Sequence, residues 1–183
     1  VDVFSGFVEG LTVGDALDPD TQIGPMASAQ HRQRVEGLID QGRAEGARVT
    51  AGGGRPAQLD KGWFVEPTVF ADVDNSFIVA REEIFGPVLS LIPYTDVDEA
   101  VRMANDSDYG LGGTIWTSDP ERAVEVARRV HTGTIGINHY LPDPTAPFGG
   151  VKASGLGREL GPEGLAAYEQ QKSIYLAASA SGN

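Results

Sequence analysis

The sequence contains no cysteine. Disulfide bonds, zinc sites built on thiolates and thiol catalysis are therefore excluded within its 183 residues. Basic residues are also few, since 14 lysines and arginines stand against 26 aspartates and glutamates, giving a formal net charge of −12. A chain this acidic repels nucleic acid and anionic membrane surfaces, so we expect neither as a partner.

Long apolar runs are absent as well. No stretch reaches the ~20 residues that cross a bilayer, and no charged-then-apolar leader opens the chain. We therefore expect a cytoplasmic protein. The chain starts with valine inside a helical pattern, without an initiator methionine, which favours a fragment of a longer protein.

Glycine is the residue type in excess, at 24 positions. This predicts many tight turns and close backbone approaches. Apolar spacing predicts a first helix near residues 1–11 and a second from Ser28 to about Glu45, with Gly46 as its end signal. Strands are expected at 48–51 and, bent by a proline, within 62–70.

From residue 88 onward, predicted strands and helices alternate. The strands are expected at 88–94, 113–117 and 133–138, and the helices at 96–105 and 119–130. Short connections between them are typical of right-handed units with parallel strands. The sequence therefore predicts an α/β fold with a parallel sheet.

A proline-rich loop at 139–150 follows the last strand of this series. Ligands bind at the carboxyl ends of parallel strands, so this loop is the candidate ligand loop, and His139 within it stays open as a functional residue. The glycine-rich run 110–113 precedes a strand rather than a helix, so it is not a phosphate loop.

Two adjacent carboxylates, Glu82 and Glu83, stand before the strand at 88. An acid–base pair is one interpretation, but neighbouring strand residues point to opposite faces. A solvated charge pair is the alternative, with Phe85 as a core residue. Arg158 and Glu159 are most simply a structural ion pair. Residues alone thus indicate an acidic α/β domain with a ligand-type loop.

Several short motifs follow one another along the chain. They are Gly24-Pro25, Gly-Trp-Phe-Val-Glu-Pro-Thr-Val at 62–69, Glu-Glu-Ile-Phe-Gly-Pro-Val at 82–88, Asn-Asp-Ser-Asp-Tyr-Gly-Leu at 105–111, Gly-Thr-Ile-Gly-Ile-Asn at 133–138, Pro-Phe-Gly-Gly-Val-Lys at 147–152 and Ser-Gly-Leu-Gly-Arg-Glu-Leu-Gly at 154–161. In this order they resemble the carboxyl-terminal part of the aldehyde dehydrogenase superfamily, over residues 1–176.

The resemblance implies an enzyme that oxidises an aldehyde to a carboxylic acid with NAD or NADP. In that family a cysteine thiolate attacks the aldehyde, hydride passes to the cofactor, and a glutamate-activated water hydrolyses the thioester. The cysteine, the base glutamate and the dinucleotide-binding domain lie upstream of the matched part. We therefore expect this chain to be inactive alone. The alternative is a stand-alone, non-catalytic binding or assembly module of the same fold.

The resemblance also implies roles for the stretch at 82–87. Glu83 would accept hydrogen bonds from the nicotinamide ribose, and Phe85 would pack beside that ribose and ring. Glu82 would be a solvated neighbour. No metal site is implied.

Four further residues gain implied roles around the aldehyde. Phe148 would form a wall of the substrate tunnel, Tyr140 would shape its mouth, and Asn138 would lie close to the catalytic pocket. Glu159 would relay protons near the general-base water.

The resemblance divides the chain into three parts. Residues 1–167 would be a partial catalytic domain, 168–178 an oligomerisation segment and 179–183 a disordered tail. The segment Lys172–Ala177 would be a strand that pairs with another subunit in a homo-dimer or homo-tetramer, and the missing amino-terminal portion of the enzyme would be a further partner.

Overall fold

The computed structural model describes residues 1–177 of the chain. These residues form two compact units, a first unit spanning Val1–Met103 and a second unit that begins at Ala104. Helices are α1 (Asp2–Glu9), α2 (Ala29–Glu45), α3 (Ile78–Arg81), α4 (Val97–Asn105), α5 (Pro120–Ala127) and α6 (Gly161–Ala166), with a 3₁₀ turn at Lys152–Ser154; strands are β1 (Arg48–Ala51), β2 (Thr68–Ala71), β3 (Val88–Ser90), β4 (Gly112–Ile115) and β5 (Thr134–Ile137). The predicted α/β class is confirmed.

Helix α2 begins and ends where its sequence signals predict. The Ser28 hydroxyl accepts a hydrogen bond from the His31 backbone N–H at 3.1 Å, which satisfies one free amide of the first turn. At the other end Gly46 adopts a left-handed conformation with φ of 103°, a geometry that glycine tolerates best. Val35 and Ile39 lie on the buried face of the helix.

The first unit is built on a three-stranded sheet in the order β1, β2, β3. Strand β1 pairs antiparallel with β2, and β2 pairs parallel with β3. Every residue of β2 is buried, and Phe70 is fully enclosed among Val35, Ile39 and Val65. Val69 and Phe70 are both 0% exposed, and neighbouring strand residues point to opposite faces, so both faces of β2 are covered.

Two strands are shorter than expected, and one short helix was not predicted. The segment 62–70 contributes only Thr68–Ala71, since Pro67 has no N–H to give to a ladder. The strand expected at 88–94 ends at Ser90, although the Leu91 N–H still donates to Phe70. Helix α3 has four residues, too few to produce a visible helical period.

The second unit contains the parallel pair β4 and β5, with α5 between them in sequence. Asp119 caps α5 by accepting from the Arg122 N–H at 3.1 Å, and Pro120 occupies the first turn. The parallel strand–helix–strand unit is thus confirmed. One continuous series from 88 onward is not found, because β3 is hydrogen-bonded to β2 in the first unit's own sheet.

The expected strand at Lys172–Ala177 is absent from the described chain. Ile174, Tyr175 and Leu176 are 78%, 91% and 89% exposed, and no strand is assigned there. A strand requires a hydrogen-bonding neighbour, and none lies beside this segment within residues 1–177. The expected disordered tail at 179–183 lies outside the described residues.

Helix α1 carries the predicted apolar stripe, yet none of its residues is buried. Phe4 and Phe7 are 50% and 66% exposed. Across residues 1–177, none of the helices has both the length and the apolar character needed to cross a bilayer.

Candidate functional site

The stretch Glu82–Pro87 leaves helix α3 and leads into β3. Glu82 ends α3 in an extended conformation. Beyond it the side chains alternate, because Ile84 is buried in the core of the first unit while Glu83 and Phe85 are exposed. The buried isoleucine therefore anchors the stretch and leaves a carboxylate and an aromatic ring on the surface.

Phe85 combines two unfavourable features. Its φ of 58° lies in the left-handed region, which bulky side chains rarely occupy, and its side chain is 71% exposed. The interpretation of Phe85 as a core residue is therefore wrong. A strained and exposed aromatic residue persists only where surrounding contacts hold it, and such positions concentrate at functional sites.

Helix α2 supplies contacts to this stretch that the sequence analysis missed. The Arg34 guanidinium donates to the carbonyl oxygens of Ile84 at 2.7 Å and Glu83 at 2.9 Å. His31 Nε2 lies 2.5 Å from the Phe85 carbonyl oxygen, as a donor in the tautomer that protonates Nε2. The signal available in sequence was the spacing of His31 and Arg34, which share one helix face.

Glu82 is exposed, as expected of a solvated neighbour, and it also has a charged partner. Its carboxylate lies 3.7 Å from the Arg34 guanidinium, with both side chains nearly half exposed. An exposed ion pair of this length contributes at most about 1 kcal/mol. Glu82 and Glu83 thus have different environments, because within residues 1–177 Glu82 has a cationic partner and Glu83 has none.

Gly86 is the point of closest approach between α2 and the stretch. A Cβ atom at this position would lie 2.8 Å from both methyl groups of Val35, which is fully buried. Any side chain here would force the helix and the loop apart. Glycine is therefore required by space.

Glu83 and Phe85 face an open groove of about 580 Å³ in the first unit. The groove is lined by the segment Gln22, Ile23, Gly24, Pro25 and Met26 on one side and by Glu83, Phe85, Gly86 and Pro87 on the other. The Gly24-Pro25 motif thus forms a wall of the same groove. A carboxylate can accept hydrogen bonds from hydroxyl groups, and an aromatic face can cover a flat ring.

Asn138 closes the β4–β5 pair in the second unit. Its amide accepts from the Thr117 N–H at 2.8 Å and donates to the Thr117 carbonyl at 2.7 Å. Its φ of 54° is left-handed, which asparagine tolerates better than most residues. Both polar atoms of the side chain are therefore used within the protein.

The loop after Asn138 brings two expected site residues into direct contact through their backbones. Phe148 and Glu159 exchange N–H···O bonds of 2.7 Å in both directions. The Tyr140 hydroxyl lies 2.7 Å from the Thr134 hydroxyl and forms a hydrogen bond with it. His139 is exposed.

The expected ion pair between Arg158 and Glu159 is not formed in the described chain. Arg158 instead donates to the carbonyl oxygens of Gly150 at 2.9 Å and Gly157 at 2.6 Å. The guanidinium satisfies the loop backbone and leaves the Glu159 carboxylate without it. Within residues 1–177, no group of three histidine or acidic side chains could hold a metal ion.

Comparison with known proteins decides the family. The sequence model that describes the aldehyde dehydrogenase family matches residues 1–174 of this chain. This chain belongs to the aldehyde dehydrogenase family. The resemblance drawn from the motifs is confirmed.

Solved aldehyde dehydrogenases share the fold. An aldehyde dehydrogenase of Mycobacterium tuberculosis, solved in complex with NAD+, is similar with a TM-score of 0.94 and 51% identity, covering 99% of this chain and 38% of that chain. A betaine aldehyde dehydrogenase of Staphylococcus aureus, also in complex with NAD+, gives a TM-score of 0.88 and 41% identity, covering 91% of this chain and 34% of that chain.

Curated aldehyde dehydrogenase relatives are much longer than the chain. A geranial dehydrogenase of Castellaniella defragrans is 62% identical over 176 residues, which is 96% of this chain and 36% of the relative. A betaine aldehyde dehydrogenase of Brucella ovis is 47% identical over 169 residues, which is 91% of this chain and 35% of the relative. The chain therefore spans little more than a third of the relatives it matches.

Proposed function

We propose that this chain is the carboxyl-terminal part of an aldehyde dehydrogenase that oxidises an aldehyde to a carboxylic acid with NAD+. The observation that carries the proposal is the exposure of Glu83 and strained Phe85 on one open groove. The family match supports the reaction class. NAD rather than NADP is supported by the solved relatives in complex with NAD+.

The groove residues fit the nicotinamide half of the cofactor. The Glu83 carboxylate would accept hydrogen bonds from the ribose hydroxyls, and Phe85 would cover the adjacent ring. When bound, the cofactor supplies the hydride acceptor. The protein's own contribution is orientation, because a carboxylate and an aromatic side chain fixed on one stretch limit the positions that the ring can take.

The second unit would contribute to the aldehyde site. Phe148 would form a tunnel wall and Tyr140 its mouth, while Glu159 would relay protons near the attacking water. The reciprocal backbone bonds between Phe148 and Glu159 support this arrangement, because they fix an aromatic residue beside a carboxylate. Asn138 would fix the start of the loop, since its amide is already bonded to Thr117.

The chain alone would not catalyse the reaction, because it contains no cysteine to act as nucleophile. The nucleophile and the general base would come from the amino-terminal portion. Cytoplasmic location and assembly into a homo-dimer or homo-tetramer through 172–177 belong to the same proposal. The intact mass of the native protein separates this from the stand-alone module, which would have the chain's own mass of 19.3 kDa.

The test is steady-state NADH formation by the full-length enzyme with a panel of aldehydes. Glu83→Gln should raise the KM for NAD+ about tenfold, because an ionised acceptor is worth about 1.5 kcal/mol or more in such hydrogen bonds. Glu125→Gln, which neutralises an exposed carboxylate on α5, is the matched control and should leave KM unchanged. Absence of NADH formation by the wild-type enzyme refutes the proposal.

A further inference from the structure

We propose that Arg34 and His31 are positioning residues that set cofactor affinity by holding the backbone of residues 83–85. The inference rests on the proposed function, because it explains how the groove residues Glu83 and Phe85 are kept in place. Neither Arg34 nor His31 lines the groove. Both act through the backbone behind it.

Three successive carbonyl groups of the stretch point toward α2. The carbonyl oxygens of Glu83, Ile84 and Phe85 all accept hydrogen bonds from side chains of α2. In an extended segment consecutive carbonyls alternate in direction, so an ordinary strand could not present all three to one helix. The left-handed φ of Phe85 is the local distortion that accompanies this arrangement.

Contacts around Phe85 keep this distortion in place. A left-handed phenylalanine is unfavourable by itself and needs over-determining contacts. Arg34 provides two such contacts through the two terminal nitrogens of its rigid planar guanidinium, which fix the directions of both hydrogen bonds. Ile84 anchors the same stretch in the core, and Gly86 allows α2 to approach.

The backbone and the side chains of this short stretch therefore have different roles. Its carbonyls are bound by α2, and its side chains at 83 and 85 line the groove. Releasing the carbonyls frees the carboxylate and the ring to take other orientations. Cofactor binding then has to select the competent orientation, which weakens apparent affinity in proportion to its population.

The test uses the full-length enzyme and two readouts. Amide hydrogen exchange over residues 82–88 is measured without cofactor, and the KM for NAD+ and kcat are measured with a fixed aldehyde. Arg34→Met should speed exchange in this segment and raise KM about tenfold, with kcat changed less than about twofold. Arg34→Lys, which keeps the charge but not the fork, should fall between wild type and Arg34→Met.

His31 gives an independent pair of variants. Gln places an amide donor near the position of Nε2, so His31→Gln should retain a KM near that of the wild type, whereas His31→Leu should raise it. If Arg34→Met fails to fold, this pair and Arg34→Lys decide the proposal.

Arg43 is the matched control on the same helix. It donates to the Gly53 carbonyl and to Asp40, away from residues 83–85. Arg43→Met should lower the melting temperature without changing KM for NAD+ or exchange over 82–88. A KM in Arg34→Met equal to that of Arg43→Met, or unchanged exchange over 82–88, overturns the inference. A wild-type enzyme without NAD+-dependent turnover refutes the proposed function instead, and the exchange arm still decides whether Arg34 holds the stretch.

Discussion

Gly86 lies where the groove stretch and helix α2 come closest together. The Val35 methyl groups would be 2.8 Å from a Cβ atom at this position, and Val35 is enclosed on all sides by the core. Neither neighbour can move far, because protein interiors are close-packed. A single hydrogen-to-methyl change at this residue therefore acts on both the core and the groove.

We expect Gly86→Ala to destabilise the protein by about 1–3 kcal/mol, the usual cost of overpacking. The KM for NAD+ should rise as well, because the displaced stretch carries Glu83 and Phe85. Urea denaturation and steady-state kinetics measure the two effects. Gly37→Ala on α2 is the control of opposite sign, since its Cβ would meet nothing within 4 Å and the change should stabilise by about 0.5–1 kcal/mol. Equal midpoints for the two variants would contradict the steric argument.

Helix α2 connects several parts of the first unit at the scale of an element. One face fills the core, His31 and Arg34 bind the groove stretch, and Glu36 binds Arg55 in the loop after β1. Arg32 lies 3.7 Å from Glu36 and 5.1 Å from the centre of the Trp63 ring. The helix therefore links the loop after β1 and the 62–69 motif to the same core.

Stability should depend on pH through Glu36. The side-chain hydrogen bond from Arg55, assisted by the charges of Arg55 and Arg32, holds the pKa of Glu36 below its ordinary value of 4.5. A lowered folded-state pKa means that the stabilisation is present above about 4.5 and is lost as pH falls through the folded pKa. The melting temperature of the wild type should exceed that of Glu36→Gln near neutral pH, and the difference should shrink below pH 4.5. A difference independent of pH would contradict this assignment.

Many large apolar side chains are exposed across the described chain. Phe4 and Phe7 on α1 and the segment Ile174–Leu176 all lie outside the core. Large exposed apolar patches usually mark surfaces that other chains or domains cover. This agrees with a chain that spans little more than a third of its relatives' length.

The isolated 183-residue chain should form no NADH from aldehydes, because it contains no cysteine to act as nucleophile. Because of its exposed apolar side chains, it should also self-associate, which analytical sedimentation measures. Ile174→Asp should reduce that association, because a charge at an apolar contact opposes burial. Leu17→Asp changes a leucine that is 92% exposed and lies outside residues 174–176, so it should leave association unchanged. A monodisperse wild-type monomer would contradict the prediction about association, and NADH formation would contradict the prediction about activity.

Local sequence signals predicted the elements that depend on near neighbours. Helix α2 begins after Ser28 and ends before Gly46, and α5 begins after Asp119 with Pro120 in its first turn. Both helices form as expected, because the contacts at their ends join residues within four positions of each other. The order of motifs likewise identified the family without reference to a fold. Residue identity and spacing were sufficient for these conclusions.

Only the tertiary structure showed how the groove stretch is supported. His31 and Phe85 are separated by 54 positions and Arg34 and Ile84 by 50, so no local pattern could pair them. The left-handed φ of Phe85 and its exposure also depend on those distant contacts. The sequence by itself determined the motif Glu-Glu-Ile-Phe-Gly-Pro and its family. Packing against α2 decided that Glu82 meets Arg34, Ile84 enters the core, and Glu83 and Phe85 face the groove.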